Sequence, residues 1–294
     1  LGKSILINMM GKTDLELLSA LISECDLLVT NDTGTMHIGW SCGTKIVAIF
    51  LGTTQGIETA PYSEGELIVE PVIDCFPCNP RINCPASICR NLIEPEPIYL
   101  LVRARLLDDK ASLKKLKSYK KIRVWRTKFD RDGMLTLEPV HGQINKSHFL
   151  REIYRLIWYN VLVESPKKEV DISPINSKLL YEINYGDFLN SLDKIIKLCE
   201  EGLLNCDKVL KNWLIYDKLE NNGILRRLRE IDETLLKIGY ANEDVRPLTE
   251  MFGINLAHIY GMHTMDLVLR ARRLYRDVTK SAIILKKITR RIQK

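Results

Sequence analysis

The sequence predicts an α/β unit followed by a β-hairpin and an all-α helical extension. Three observations carry this. Two apolar runs, residues 26–30 and 45–50, flank a polar, glycine-bearing stretch and a short helical segment. Two alternating segments, 123–129 and 134–140, meet at Asp130-Arg131-Asp132-Gly133. From Ser147 onward apolar residues recur at helical spacing. At 294 residues, 46% hydrophobic and 27% charged, the chain has a globular composition with room for two domains. No apolar run approaches the ~20 residues of a membrane-spanning helix, and no signal-peptide pattern opens the chain. Eight cysteines are scattered rather than framed in a small secreted scaffold, which points to a reducing, cytoplasmic setting.

Ser4 to Asn8 read as an interior strand. Gly11-Lys12-Thr13 invites comparison with a phosphate-binding P-loop, but the first glycine of that motif would fall at Leu6, so the comparison fails. Thr13-Asp14-Leu15-Glu16 fits a Ser/Thr-x-x-Glu capping box, and Leu15, Leu18, Leu21 and Ile22 form the apolar stripe of the helix behind it. After the strand at 26–30 comes Asn31-Asp32-Thr33-Gly34-Thr35-Met36-His37, then a helix over 36–42 closed by Gly43, then the strand at 45–50. This is a βαβ unit of a parallel sheet. Its turn lies at the carboxyl end of a strand and the amino end of a helix, where open α/β sheets bind ligands and where exposed N–H groups favour an anion. Asp32 either accepts hydrogen bonds from sugar hydroxyls or caps the helix. Met36 and Trp40 are expected in the core, and His37 faces either ligand or core.

Gly11-Lys12-Thr13, Asp-Thr-Gly-x-x-His at 32–37, Gly-Thr-x-x-Val-Ala at 43–48, Phe50-Leu51-Gly52-Thr53-Thr54 and Pro61-Tyr62 together resemble the donor-binding half of a family 9 glycosyltransferase. That is the family of the ADP-heptose:lipopolysaccharide heptosyltransferases. The likeness covers roughly residues 4–107 and includes the cysteine-bearing stretch from Cys75 to Cys89. It implies a partial Rossmann-like domain of the GT-B arrangement, binding a nucleotide-diphosphate sugar (ADP-heptose-like) through Thr13, Asp32, Thr33, Gly34, His37 and Thr53, without a cofactor. Thr13 would lie beside the base, Asp32 on the sugar hydroxyls, and Thr33 and Gly34 at the pyrophosphate. It also implies that the acceptor-binding domain, which carries the family's catalytic base, and the opening strands of this domain precede Leu1, so that the chain alone is expected not to turn over.

Cys75, Cys78, Cys84 and Cys89 share one Pro-rich loop; packed or redox-labile thiols are one reading, a tetrahedral thiolate metal site the alternative. A helix over 98–107 closes the first domain, which gives domains at 1–107, a linker with hairpin at 108–146, and a helical bundle at 147–294. The hairpin reads as an added interaction element. In the bundle, helices are expected over 149–161, within 179–203, over 225–238 and over 262–292, with a turn at Asn221-Asn222-Gly223. Leu267, Leu274, Val278, Leu285 and Ile288 form the buried stripe of the last one. From Gly261 onward ten Lys or Arg face two Asp. Such a helix is either a solvated bundle face or a contact for an anionic membrane surface; nucleic acid is not expected, because no reader motif accompanies the charge. The reading is therefore a heptosyltransferase-like enzyme acting on a lipopolysaccharide or other glycan acceptor, cytoplasmic and peripheral to the inner membrane if the basic helix docks. The alternative is a non-catalytic nucleotide-sugar-binding or docking protein.

Overall fold

The structure is a computed structural model that describes residues 5–78, 84, 87–143, 146–162, 185–213, 218–259 and 264–292. The chain divides into two compact units, Leu1–Ile144 and Asn145–Lys294.

The first unit carries α1 (Leu15–Ser23), β1 (Leu27–Asn31), α2 (Gly34–Ser41), β2 (Lys45–Ile49), α3 (Gly56–Thr59), β3 (Leu67–Pro71), α4 (Pro95–Leu107), α5 (Lys110–Lys115), β4 (Ile122–Phe129) and β5 (Leu135–His141). One five-stranded sheet runs in the order β1-β2-β3-β4-β5. β1, β2 and β3 are parallel, in register Val29↔Val47 and Val47↔Leu67. β4 then pairs antiparallel with β3, Ile68 opposite Trp125, and β5 returns along β4. The sheet is thus mixed, and the hairpin is part of it rather than an element of a linker. Its strand β4 is buried along Ile122–Trp125, so no structural divide falls at residue 107.

Side chains of a strand alternate between faces, and here both faces are covered. Val47, Leu67, Val69, Ile122 and Val124 meet Leu100 and Leu101 of α4 on one side. Ile46, Ala48, Phe50, Ile68 and Trp125 meet Met36 of α2 and Phe76 on the other. β3 was hidden in the sequence because its apolar core is bracketed by glutamates, yet Glu66 and Glu70 are both buried. Arg105 forks onto the two oxygens of Glu66 at 3.0 and 2.9 Å, and the Ile46 N–H donates to it at 2.6 Å. Buried charge is tolerated where it is paired and hydrogen-bonded.

Two sequence expectations at the start of the unit are corrected. Residues 5–8 are not a strand: Ile5 is 84% and Leu6 96% exposed, and the chain turns at Gly11 (φ +68°). Alternation supplies two faces but not a neighbouring strand, and among the described residues none lies beside this run. Helix α1 is capped by Asp14, whose Oδ1 accepts from the Leu17 N–H at 2.8 Å, one position later than expected. A carboxylate there also complements the helix dipole. The stripe behind it is only partly used, since Ile22 is buried while Leu15 and Leu21 are exposed.

The second unit is all-helical: α6 (Lys146–Leu162), α7 (Tyr185–Trp213), α8 (Lys218–Ala241), α9 (Arg246–Ala257) and α10 (Thr264–Ile292). Its core joins Ile153 and Ile157 of α6, Phe188 and Leu192 of α7, Ile231 of α8, Phe252 of α9 and Tyr275 of α10. On the expected stripe of α10, Val278, Leu285 and Ile288 are buried, and Leu267 and Leu274 partly so. Gly202 lets α7 approach α10, because a Cβ there would lie 2.7 Å from the Tyr275 ring. The turn expected at Asn221-Asn222-Gly223 does not exist; these residues lie inside α8. One helical glycine costs only about 1 kcal/mol, less than the amphipathic face around it contributes. Helix α9 was not anticipated. The expected helical residues 179–184 and 262–263 lie outside the described residues. No helix among the described residues is long and apolar enough to cross a membrane.

A candidate anion and sugar site at the carboxyl edge of the sheet

β1 ends at Asn31 and hands the chain to α2 through Asp32 and Thr33. The Asp32 N–H donates to the Ile49 carbonyl of β2 at 3.3 Å, which holds the turn against the sheet. Its side chain is half-buried, and Oδ1 accepts from the Thr59 hydroxyl of α3 at 3.1 Å. Asp32 is therefore oriented by a neighbouring element and does not act as the helix cap. The cap position belongs to Thr33 (φ −151°, ψ 170°), whose side chain makes no capping bond; its hydroxyl reaches only the Asn31 carbonyl, at 3.5 Å. The first N–H groups of α2 are thus left for an external acceptor. Gly34 opens the helix, and a Cβ added there would meet nothing within 4 Å, so the space beside the helix start is open.

The second shoulder of the site is the loop after β2. Gly52 adopts φ +79°, and its carbonyl accepts from the Cys78 N–H at 2.7 Å. Thr53 follows and is exposed. Gln55 then caps α3 and is fully buried, and its N–H donates to Glu58 Oε2 at 3.1 Å in a capping box. The Gly56 N–H at the start of α3 donates to Glu70 Oε1 at 2.8 Å. Glu70 Oε2 in turn accepts from Trp125 Nε1–H at 2.8 Å and from Arg123 at 3.5 Å. A chain of contacts therefore runs from the hairpin through Glu70 to α3, and through Thr59 to Asp32. Burial lowers the Arg123 pKa, with the Glu70 carboxylate working against that.

His37 is exposed on α2, where Nδ1 accepts from Trp40 Nε1–H at 3.4 Å. Trp40 is half-buried and meets Tyr62 edge-on at 6.3 Å; Tyr62 meets Phe129 at 5.2 Å and donates to the Gly133 carbonyl at 3.4 Å. Met36 is fully buried, as its spacing implied. Thr13 is half-buried and precedes α1. Thr13 makes no hydrogen bond among the described residues, and the structure does not bring it into contact with Asp32. Sequence reasoning missed Thr59, Gln55 and Glu70. Only Glu70 left a signal, as a carboxylate ending an apolar run.

The thiols of the Pro-rich loop are split between exposed Cys75 and Cys84 and half-buried Cys78 and Cys89. Burial raises the Cys78 pKa, reinforced by Cys75, Cys89 and Cys84 nearby. Among the described residues no group of three or more Cys, His, Asp or Glu is disposed to hold a metal ion.

Residues 2–85 match the profile of glycosyltransferase family 9 (heptosyltransferase). The chain is 35% identical over 94 residues to lipooligosaccharide heptosyltransferase 2 of Campylobacter jejuni, covering 31% of this chain and 29% of that protein. It is 37% identical over 62 residues to the lipopolysaccharide core heptosyltransferase OpsX of Haemophilus influenzae, covering 21% of this chain and 18% of that one. The chain thus spans less than a third of the length of the curated relatives it matches. No solved structure matches it.

Proposed function

We propose, from the premise that residues 2–85 are a segment of glycosyltransferase family 9 type, that this edge of the sheet binds a nucleotide-diphosphate sugar for transfer to a glycan or lipid-linked acceptor. In that reaction an acceptor hydroxyl attacks the anomeric carbon, the bond to the diphosphate oxygen breaks, and a base takes the hydroxyl proton. No residue of this chain is assigned that last role. Asp32, held by Thr59, accepts hydrogen bonds from the sugar hydroxyls. The diphosphate lies at the start of α2, where the N–H groups of Gly34 and Thr35 and the helix dipole stabilise the negative charge that grows as the bond breaks. The open space at Gly34 admits an oxygen close to the backbone. Thr53 and His37 stand at the rim as further donors to phosphate or ribose, and Thr13 marks the side toward the base. The acceptor class follows the names of the relatives, lipooligosaccharide and lipopolysaccharide, and a lipid-linked acceptor would place the protein beside a membrane surface.

The observation that carries this reading is the pairing of an uncapped helix start with a carboxylate oriented by another element, inside the segment that matches the family. Titration of the chain with ADP and with ADP-sugars, followed calorimetrically, tests it. Asp32→Ala is expected to weaken the ADP-sugar at least tenfold and ADP much less, because Asp32 addresses the sugar. Equal affinity of wild type and variant for the ADP-sugar would overturn the assignment. A binding protein without transfer is the second reading; it predicts the same titration with no sugar transferred to an acceptor lipid.

A further inference from the structure

Helix α10 carries nine Lys or Arg and two Asp. Its inward side is accounted for by Val268, Ala271, Tyr275, Val278, Ala282 and Leu285, all buried. At 3.6 residues per turn, Arg273, Arg276, Lys280, Lys287, Arg290 and Arg291 fall within a sector of about 100° on the opposite side and extend over about 27 Å. All six are exposed. The acidic residues nearby pair with only part of this face. Asp277 is buried and shared between Arg273 and Arg276, at 3.8 and 3.4 Å. Asp207 pairs with Arg272 and Asp193 with Lys286, both on the flanks of the row. Like charges three, four and seven residues apart repel, and Lys280, Lys287 and Arg290 stand without a compensating carboxylate among the described residues.

Two aliphatic side chains lie in the same sector, Leu269 (50% exposed) and Ile283 (37%). A straight basic row with aliphatic residues between the charges matches a flat surface that offers phosphates outside and a shallow apolar layer beneath. A nucleic-acid reader would instead present aromatic or amide side chains for stacking and base edges, and the row has none. We propose that the exposed face of α10 docks on an anionic membrane surface, with Lys280, Lys287 and Arg290 as the principal headgroup contacts and Leu269 and Ile283 seated at headgroup level. The inference stands independently of the chemistry at Asp32, and its assay reads no sugar transfer.

The whole chain is to be co-sedimented with phosphatidylcholine vesicles, with and without phosphatidylglycerol, at low and raised salt. Binding is expected only with phosphatidylglycerol and is expected to fall as salt rises. Each basic contact is worth about fivefold in partitioning, so K280E/K287E/R290E loses about a hundredfold or more. The milder K280Q/K287Q/R290Q gives a smaller loss, with helicity by circular dichroism unchanged in both. A triple reversal of equal charge in the sheet unit, K114E/K115E/K117E, leaves binding intact. Equal binding to uncharged vesicles, or an equal loss in the sheet-unit control, would overturn the proposal. So would tighter binding to a DNA duplex than to phosphatidylglycerol at the same salt.

Discussion

Asp232 provides the sharpest test of how the helical unit is built. It projects from α8 toward a cavity of about 270 Å³ walled by Leu228, Leu256, Ile259, Val268 and Ala271. Tyr275 of α10 donates its hydroxyl to Oδ1. Burial raises the carboxyl from 3.8 to about 6, the Tyr275 hydrogen bond restrains that rise, and Glu233 adds to it. The sign follows from proton linkage. Below pH 3.8 the group is protonated in both folded and unfolded chains, and its contribution to stability is fully present. Between 3.8 and about 6 the folded state holds more protons, so stability falls as pH rises; above about 6 the loss is complete. Two pK units correspond to about 3 kcal/mol, an upper figure because the carboxyl retains some contact with solvent. Asp232→Asn keeps the acceptor for Tyr275 and removes the ionisation. The variant is expected to match wild type near pH 4 and to exceed it by up to about 3 kcal/mol near pH 8. Burial raises the pKa values of Cys199 and Cys206, the latter to about 12, so both thiols stay neutral through this window. Hydrogen exchange of peptides from α8 and α10 across that range reads the helical unit without interference from the sheet unit. The same pH slope in variant and wild type would refute the reasoning.

Three further outcomes follow from named contacts. Glu70→Ala removes the carboxylate that faces the buried Arg123 guanidinium and the Trp125 N–H, leaves Arg123 its bond to the Gln143 carbonyl at 2.6 Å, and should cost the sheet unit about 3–5 kcal/mol, read from the urea midpoint of Trp fluorescence. A cost under 1 kcal/mol would show that these groups find other partners. Gly39→Ala places a Cβ 2.7 Å from Leu28 Cδ2 and 3.3 Å from Ile46 Cδ1, so either these side chains repack or α2 shifts on β1 and β2. A loss of about 1–3 kcal/mol is expected in the same assay, and a neutral substitution would contradict the close approach. Under native conditions iodoacetamide should label Cys25, Cys75 and Cys84, which are exposed, long before Cys199 and Cys206, which are buried with raised pKa values. Mass spectrometry of the digested chain gives the order, and early labelling of Cys199 would refute the packing of α7.

The unit from β1 to β2 was legible because every cue lies within a short window: two apolar runs, a polar glycine turn, a short helix. β3 was not legible, since Glu66 and Glu70 read as solvent-facing until Arg105 and Arg123 are seen in space. The hairpin was read correctly as a hairpin and wrongly as an appendage. Alternation shows that a strand has two faces, whereas its partner, β3 for β4, lies some fifty residues away and leaves no local mark. The candidate site divides the same way. Asp32, Thr33 and Gly34 announce themselves in one turn. Thr59 is an ordinary threonine until α3 folds back, and the buried role of Gln55 depends on how that loop closes. In the helical unit the amphipathic stripes were readable, but Asn221-Asn222-Gly223 shows that turn-forming residues lose to a long apolar face when the two conflict.

The topology also says how much of a binding crevice these elements can build. Ligands of open α/β sheets lie where neighbouring strands at the carboxyl edge send their loops to opposite faces. β1, β2 and β3 follow one another in a single direction, and β4 reverses the chain against β3. Among the described residues β1 is an edge strand, paired on one side with β2, and Val29 on it is exposed. The turn at Asp32 therefore forms one wall together with α2, the loop through Thr53 and α3, at an edge where no further strand lies among the described residues. On the proposed reading, a nucleotide sugar held by one wall would keep its diphosphate and sugar contacts and gain little enclosure. The expected signature is affinity that depends strongly on Asp32 and on salt and only weakly on the base. Comparable affinity for ADP-sugar and for a sugar diphosphate bearing another base would accord with this geometry. A strong preference for adenine would instead require a second wall over the base, built by elements other than those described.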